Sequence, residues 1–215
     1  MIVLYKPKLE DLWFREQFMN DPGTMSYNHA WGGTIPFPKD RWSSWYDHWI
    51  VHHDNKRFYR YLQDSESRVF IGEIACHYDD KRDIWLADVI VASEYRGKGY
   101  GSEGLRLLCE SAANLGADVL RDDIAIDNPA IKMFLKAGFT EEYRTDEIIM
   151  LKKELSCRSS NENIDWSLLS HEEKNHQLFL KQKALLDQFL EKGAISQTQH
   201  DKSLHDLIEK MGETC

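Results

Sequence analysis

The chain has 215 residues, 42% of them hydrophobic and 29% charged, and a formal charge of −9. That is enough for one sizeable core and a small appendage. No run of about 18 apolar residues is available to span a bilayer. The stretch MIVLYKPKLEDLWF meets acid and base too early for a secretory signal, so a cytoplasmic protein without membrane attachment is expected. The acidic balance argues against a nucleic-acid partner and suits small cationic ligands.

In chain order, IVLYKP reads as a first strand and KLEDLWFREQFM as a helix with Leu9, Leu12, Trp13 and Phe18 on a broad apolar face. NDPGTMSYNHAWGGTIPFP, with three glycines and three prolines, reads as a long loop, and loops of that length usually serve function. KDRWSSWYDHWIVHH resumes helix, its Trp42, Trp45, Tyr46 and Trp49 spaced three and four apart. RFYRYLQD, RVFIGEIACHY and DIWLADVIVA are three successive strands joined by polar turns at 65–68 and 79–82. Cys76, Cys109, Cys157 and Cys215 lack any C-x-x-C pairing or clustered histidines, so reduced thiols are expected, with no metal site and no disulfide framework. Cys76 and Cys109 are expected in the core.

YRGKGYGSEG follows the third strand and opens an apolar helical stripe of Leu105, Leu108, Ala112 and Leu115 that ends at Gly116. Strand, glycine turn and helix together make backbone N–H groups converge on an anion at the positive end of the helix dipole. Gly97, Gly99 and Gly101 permit positive φ and close approach, while Arg96 and Lys98 add charge for phosphates. Spacing alone equally allows a tight turn without a ligand. Further on, VLRDDIAI is a strand, Asn128 an N-cap and Pro129 a first-turn residue; Ala130, Met133, Phe134 and Ala137 supply a short apolar face that Gly138 ends.

VIVASEYRGKGYGSEGLRLL resembles motif A of the GNAT superfamily of acyl-CoA-dependent N-acetyltransferases, through Arg96, Gly99 and Gly101. DNPAIKMFLKAGF resembles its motif B, with Asn128, Ala130, Phe134, Lys136, Gly138 and Phe139 in matching order. The resemblance covers about residues 1–155. It implies an α/β fold: a mixed, mostly antiparallel sheet of six or seven strands flanked by four helices. Its third and fourth strands would pair as a hairpin, and its fourth and fifth would splay to admit acetyl-CoA. The pyrophosphate would rest on the N–H groups of Arg96, Gly97, Lys98, Gly99, Tyr100, Gly101 and Ser102. The pantetheine arm would lie along Val89, Ile90 and Val91, with Asn128, Phe134 and Lys136 completing the co-substrate site. The acceptor would meet Tyr27, Asn28 and Trp31.

Amine acetylation needs a proton acceptor, because an alkylamine with pKa near 10.4 is only about one part in 2,500 neutral at pH 7, a penalty of roughly 4.6 kcal/mol. Asp88 is the foremost candidate: a lone acid in an apolar strand must face something polar. Its surroundings are similar to those of diamine acetyltransferases, with Ala87 standing where those carry glutamate. Glu73 on the preceding strand pairs near it if the hairpin is regular. Asp122 is similar in position to an acid near the acceptor in aminoglycoside 6'-acetyltransferases. Phe134 stands where many GNAT enzymes carry a tyrosine that protonates the leaving thiolate.

After a strand in EIIMLKKEL, residues 156–163 read as a linker and 164–215 as a helical hairpin. Ser170 with Glu173, and Ser196 with Gln199, form capping boxes, and Gly193 separates the helices. One helix carries Leu178, Leu185, Leu186 and Phe189, the other Leu204, Leu207, Ile208 and Met211; His171, His176, His200 and His205 fall on solvated faces. The segment resembles short C-terminal oligomerisation-type modules, and a hairpin of this size should dock either on the catalytic domain or on a second copy in a homodimer. Taken together, the reading is an acetyl-CoA-dependent transferase of residues 1–155 acting on a small amine, polycations included. Protein N-acetylation and an acyl-CoA-binding regulator without turnover are the other two readings.

Overall fold

The computed structural model describes residues 1–155, 169–191 and 193–211, apart from the side chains of residues 30, 31, 188 and 191. The strands are β1 (Ile2–Tyr5), β2 (Arg57–Asp64), β3 (Phe70–Asp79), β4 (Ile84–Val91), β5 (Val119–Ala125), β6 (Thr140–Arg144) and β7 (Ile148–Glu154). They form one sheet in the order β1-β2-β3-β4-β5-β7-β6. Every neighbouring pair is antiparallel except β4 with β5. Helices α1 (Leu12–Asn20), α2 (Trp42–Tyr46), α3 (Tyr100–Asn114) and α4 (Ile131–Lys136) flank it, which matches the expected mixed sheet with four helices.

Side-chain alternation along the strands builds two cores. On one face, Leu62, Ile74 and Cys76 meet Leu105, Leu108 and Ala112 of α3 and Phe134 of α4. On the other, Tyr59, Tyr61, Ala75 and Ile90 meet Phe14 and Phe18 of α1 and Met25 of the following segment. Cys76 and Cys109 are buried free thiols.

Three local expectations change. In α1 the buried residues are Leu12, Phe14, Phe18 and Met19, whereas Leu9 and Trp13 are exposed; the chain enters through a 3-10 turn at Leu9–Asp11, which breaks the helical period. The long loop holds a 3-10 helix at Thr24–Trp31. Asp21 builds it, because its Oδ2 accepts from the N–H and the hydroxyl of Thr24 at 2.7 and 2.6 Å. α2 runs directly into a π-helical turn at Asp47–Val51.

The feature that shapes the site is the join of β4 and β5. They pair only at Trp85 with Leu120 and Leu86 with Arg121. Past that point β4 stays with β3, and β5 follows β7 to Ala125, so the sheet splits.

Residues 158–215 form a second compact unit. Within it α5 (His171–Glu191) and α6 (Gln197–Met211) pack together. Both capping boxes are made: Glu173 N–H donates to Ser170 Oγ at 3.2 Å and Ser170 N–H to Glu173 Oε2 at 2.8 Å. Gln199 N–H donates to Ser196 Oγ at 3.3 Å and Ser196 N–H to Gln199 Oε1 at 2.9 Å. Gly193 takes φ 66° between the helices. Leu178, Leu185 and Phe189 are exposed, while Phe179 and Leu207 are buried. His200 is buried rather than solvated, its two ring nitrogens facing Asp187 on α5 at 2.7 Å and Asp201 at 3.1 Å. The expected linker at 156–163, and with it Cys157, lies outside the described residues, as does Cys215.

Candidate active site

The split sheet opens a cleft of about 580 Å³. Its walls are Asp88–Val91 of β4 and residues 122–125 of β5, and the glycine turn, the start of α4 and Ser26, Tyr27 and His29 complete the lining.

At the glycine turn, Gly97 and Gly99 have φ 76° and 86°, and a Cβ built on either meets nothing within 4 Å. The turn therefore leaves open space against its backbone. α3 begins with the bond from Glu103 N–H to Gly99 O at 3.1 Å. The N–H groups of Gly101 and Ser102 precede it and have no helical carbonyl to meet. No side chain caps this helix, so its positive end faces the cleft. Gly101 serves close approach instead: a Cβ there would lie 2.9 Å from Met133 Sδ.

Arg96 has a different job from the one its charge suggests. Its Nε donates to Val91 O at 3.0 Å and Nη1 to Gly23 O at 3.2 Å, and Nη2 donates to Thr24 O. The guanidinium ties the glycine turn to the 24–31 segment and is not left for a phosphate. Lys98 lies over the Tyr95 ring; Lys98, Tyr100 and Lys136 do not line the cleft, whereas Arg96, Gly97, Gly99, Gly101, Ser102, Asn128 and Phe134 do.

Strand alternation decides which β4 groups face the split. Ala92 N–H donates to Ile71 O at 2.9 Å on the β3 side. Asp88 and Ile90 therefore bond β3 through their backbones, and the amides of Val89 and Val91 point toward β5. Arg96 already uses Val91 O, which leaves Val89 N–H, Val89 O and Val91 N–H for a peptide-like ligand.

The side chains of Asp88 and Glu73 lie on the same sheet face, since Ala75 pairs with Asp88 and Glu73 with Ile90. Asp88 lines the cleft and is exposed. Burial by the surrounding protein, reinforced by the charge of Glu73 and opposed by Arg15, raises its pKa to about 7. Burial, then the charges of Asp88 and Asp123, push Asp122 well above the usual carboxylate range. The hydroxyl of Tyr27, which also lines the cleft, is likewise raised by burial and then by Asp88, Glu73 and Asp122. Glu73 is not in the cleft. It is 1% exposed, ion-paired with Arg15, and accepts from the Tyr59 hydroxyl, so both its oxygens are engaged.

Of the expected acceptor residues, Tyr27 lines the cleft. Asn28 does not; its Nδ2 donates to Gly33 O at 2.7 Å and steadies the end of the 3-10 helix. The side chain of Trp31 lies outside the described residues. Nothing in the sequence singles out His29 and Asp127, which face each other at 3.3 Å and both line the cleft. Nor does anything single out Arg15, a lone cation on an amphipathic helix.

A family model described as the Acetyltransferase (GNAT) family matches residues 15–139, more than half of the chain. Among solved structures, the chain is similar to spermidine N-acetyltransferase from Vibrio cholerae in complex with CoA and spermine. The two are 21% identical with a TM-score of 0.61, over 72% of this chain and 96% of that one. It is also similar to an N-acetyltransferase from Staphylococcus aureus Mu50, at 20% identity and a TM-score of 0.58, over 72% of this chain and 99% of that one. A search of curated proteins gives no match. With the split sheet, the glycine turn and the matched segment all falling in the same residues, this chain belongs to the GNAT acetyltransferase family.

Proposed function

We propose that the protein transfers the acetyl group of acetyl-CoA to a small cationic amine, with Asp88 taking the proton that the attacking nitrogen must lose. The observation that carries this reading is the juxtaposition of an uncapped helix start and open glycine turn with a carboxylate of pKa about 7 in one cleft. The residues fit acetyl-CoA: the open space against Gly97 and Gly99 and the free amides of α3 suit a pyrophosphate. Val89 and Val91 suit the amide groups of the pantetheine arm.

The acceptor arrives as an ammonium and gives its proton to Asp88. The neutral nitrogen then attacks the thioester carbonyl, the C–N bond forms, the C–S bond breaks and the thiolate leaves with the electron pair, while the second proton shed by the nitrogen as the amide forms passes to the thiolate. A base works best when its pKa lies near the working pH, and Asp88 meets that condition at neutrality. Phe134 has no hydroxyl with which to protonate the thiolate, so water carries the proton there. Asp88, Asp122, Asp123 and Asp127 all line the cleft, which favours a cationic acceptor; the Vibrio cholerae relative was solved with spermine. The exposed Leu178, Leu185 and Phe189 of α5 support a role for the hairpin in pairing two copies.

Release of free thiol from acetyl-CoA, measured across polyamines, aminoglycosides and peptides, tests the reading. Turnover with a polyamine supports it. Turnover only with peptides shifts the acceptor class, and tight acetyl-CoA binding with no turnover on any amine replaces the transferase with a regulator.

A further inference from the structure

The buried charges behind Asp88 make no contact with the cleft, yet they bear on it. Glu73 lies diagonally across the β3–β4 hairpin from Asp88, a separation of about 7–8 Å between such positions. A bare negative charge there would oppose ionisation of Asp88. Arg15, reaching over from α1, ion-pairs with Glu73 and donates to the Tyr59 hydroxyl at 3.3 Å. Its guanidinium lies 4.7 Å from the centre of the Trp45 ring, 5.3 Å from Phe37 and 5.5 Å from Tyr59. Its Nε is buried without an acceptor.

For stability alone this is a poor arrangement. Desolvating two charges offsets most of their attraction, and apolar side chains of similar volume commonly do as well or better. The pair gains a purpose from its position. We propose that Arg15 is a positioning residue for acetyl transfer: by neutralising Glu73 behind the cleft floor, it lets Asp88 carry the negative charge with which it accepts the ammonium proton. The groups facing Asp88 are Glu73 from β3, Arg15 from α1, Asp122 from β5 and Tyr27 from the 3-10 helix. Arg15 is the cation among them.

The inference rests on Asp88 as the base, and the test separates the two. Glu73→Gln keeps shape and leaves the Arg15 charge unbalanced. Asp88 then holds its proton less tightly, and the acid limb of the kcat/KM profile should move down by roughly one pH unit. Glu73→Gln with Arg15→Met removes both charges and should return the limb to within about 0.3 unit of the unsubstituted enzyme, while Arg15→Lys keeps the charge and should leave the limb in place. The side-chain carboxyl of Asp88, assigned by carbon-13 NMR against Asp88→Asn, reports the same shifts in the resting protein. A resonance that titrates at the same pH in Glu73→Gln overturns the inference, as does a double variant that stays with Glu73→Gln. If the double variant fails to fold, the Glu73→Gln titration decides alone. An acid limb that persists in Asp88→Asn sinks the base reading, while the NMR titration still judges the coupling.

Discussion

Asp88 holds its proton more tightly than an ordinary carboxyl, and this has consequences for both activity and stability. Activity should fall as pH drops through about 7, because the protonated acid cannot accept. Asp88→Asn should lower kcat by about 10²- to 10⁴-fold, remove that acid limb and spare acetyl-CoA affinity; stopped-time thiol release across pH checks it. The sign for stability runs the other way. A carboxyl whose pKa is raised on folding binds more protons in the native state between about 4 and 7, so its contribution is present below the unfolded pKa and is lost as pH rises through 7. Asp88→Asn should therefore melt higher than the parent at pH 8 and not at pH 4, as measured by calorimetry. Activity lost together with stability gained is the mark of a residue held for chemistry.

Individual elements make their own tests. Gly99 starts α3 in the left-handed region with open space at its Cβ position. Gly99→Ala costs about 1–2 kcal/mol of backbone strain and should weaken acetyl-CoA by about tenfold or more, with the fold retained; isothermal calorimetry reads it, and unchanged affinity would make the turn merely structural. Arg96 joins this turn to β4 through Val91 O and to the start of the 24–31 segment through Gly23 O and Thr24 O. Arg96→Lys cannot reproduce the fork, so amides at 24–29 should exchange faster and the acceptor KM should rise more than that for acetyl-CoA. In the hairpin, both ring nitrogens of His200 face carboxylates, a pattern only the imidazolium satisfies. Its bonds with Asp201 and then Asp187 raise its pKa above the ordinary 6.5. That contribution is complete below pH 6.5 and fades as pH rises through the raised value, so the protection factors of amides in α5 and α6, corrected for the intrinsic exchange rate, should fall from pH 6 to pH 9. His200→Gln should remove that dependence.

The whole chain divides into two compact units at residue 157, and the cleft is built entirely within the first. A chain ending at residue 157 should fold, bind acetyl-CoA with the affinity of the full protein, and turn over the same amines. If the exposed apolar stripe of α5 pairs two copies, light scattering should show the full protein at twice the mass of its own chain and the truncated one at the mass of a single chain. The same number of subunits in both would leave the hairpin without a part in assembly. A two-helix hairpin is too small to be stable with much of its apolar surface in water, so the isolated segment should show little helicity at micromolar concentration.

Local rules made much of this protein legible in its sequence. β2 was read from RFYRYLQD to the residue, because alternation and flanking polar turns mark a strand without tertiary help. The glycine turn, the start of α3 and the capping boxes of the hairpin were legible for the same reason, since each depends on neighbours within four positions. Asp88 was singled out because an acid breaking an apolar strand is conspicuous in one dimension. What the sequence could not supply was pairing across distance. Glu73, a candidate proton acceptor from its place beside Asp88, is taken out of that role by Arg15, 58 residues away. Arg96 looked like a phosphate ligand until its carbonyl partners 72 and 73 residues earlier were seen. His200 looked solvated because its partner Asp187 lies on another helix. Backbone conformation is set mostly by local sterics, so sequence determined it; the charge state and partner of a polar side chain are set by whatever the fold brings beside it, and only the tertiary structure decided those.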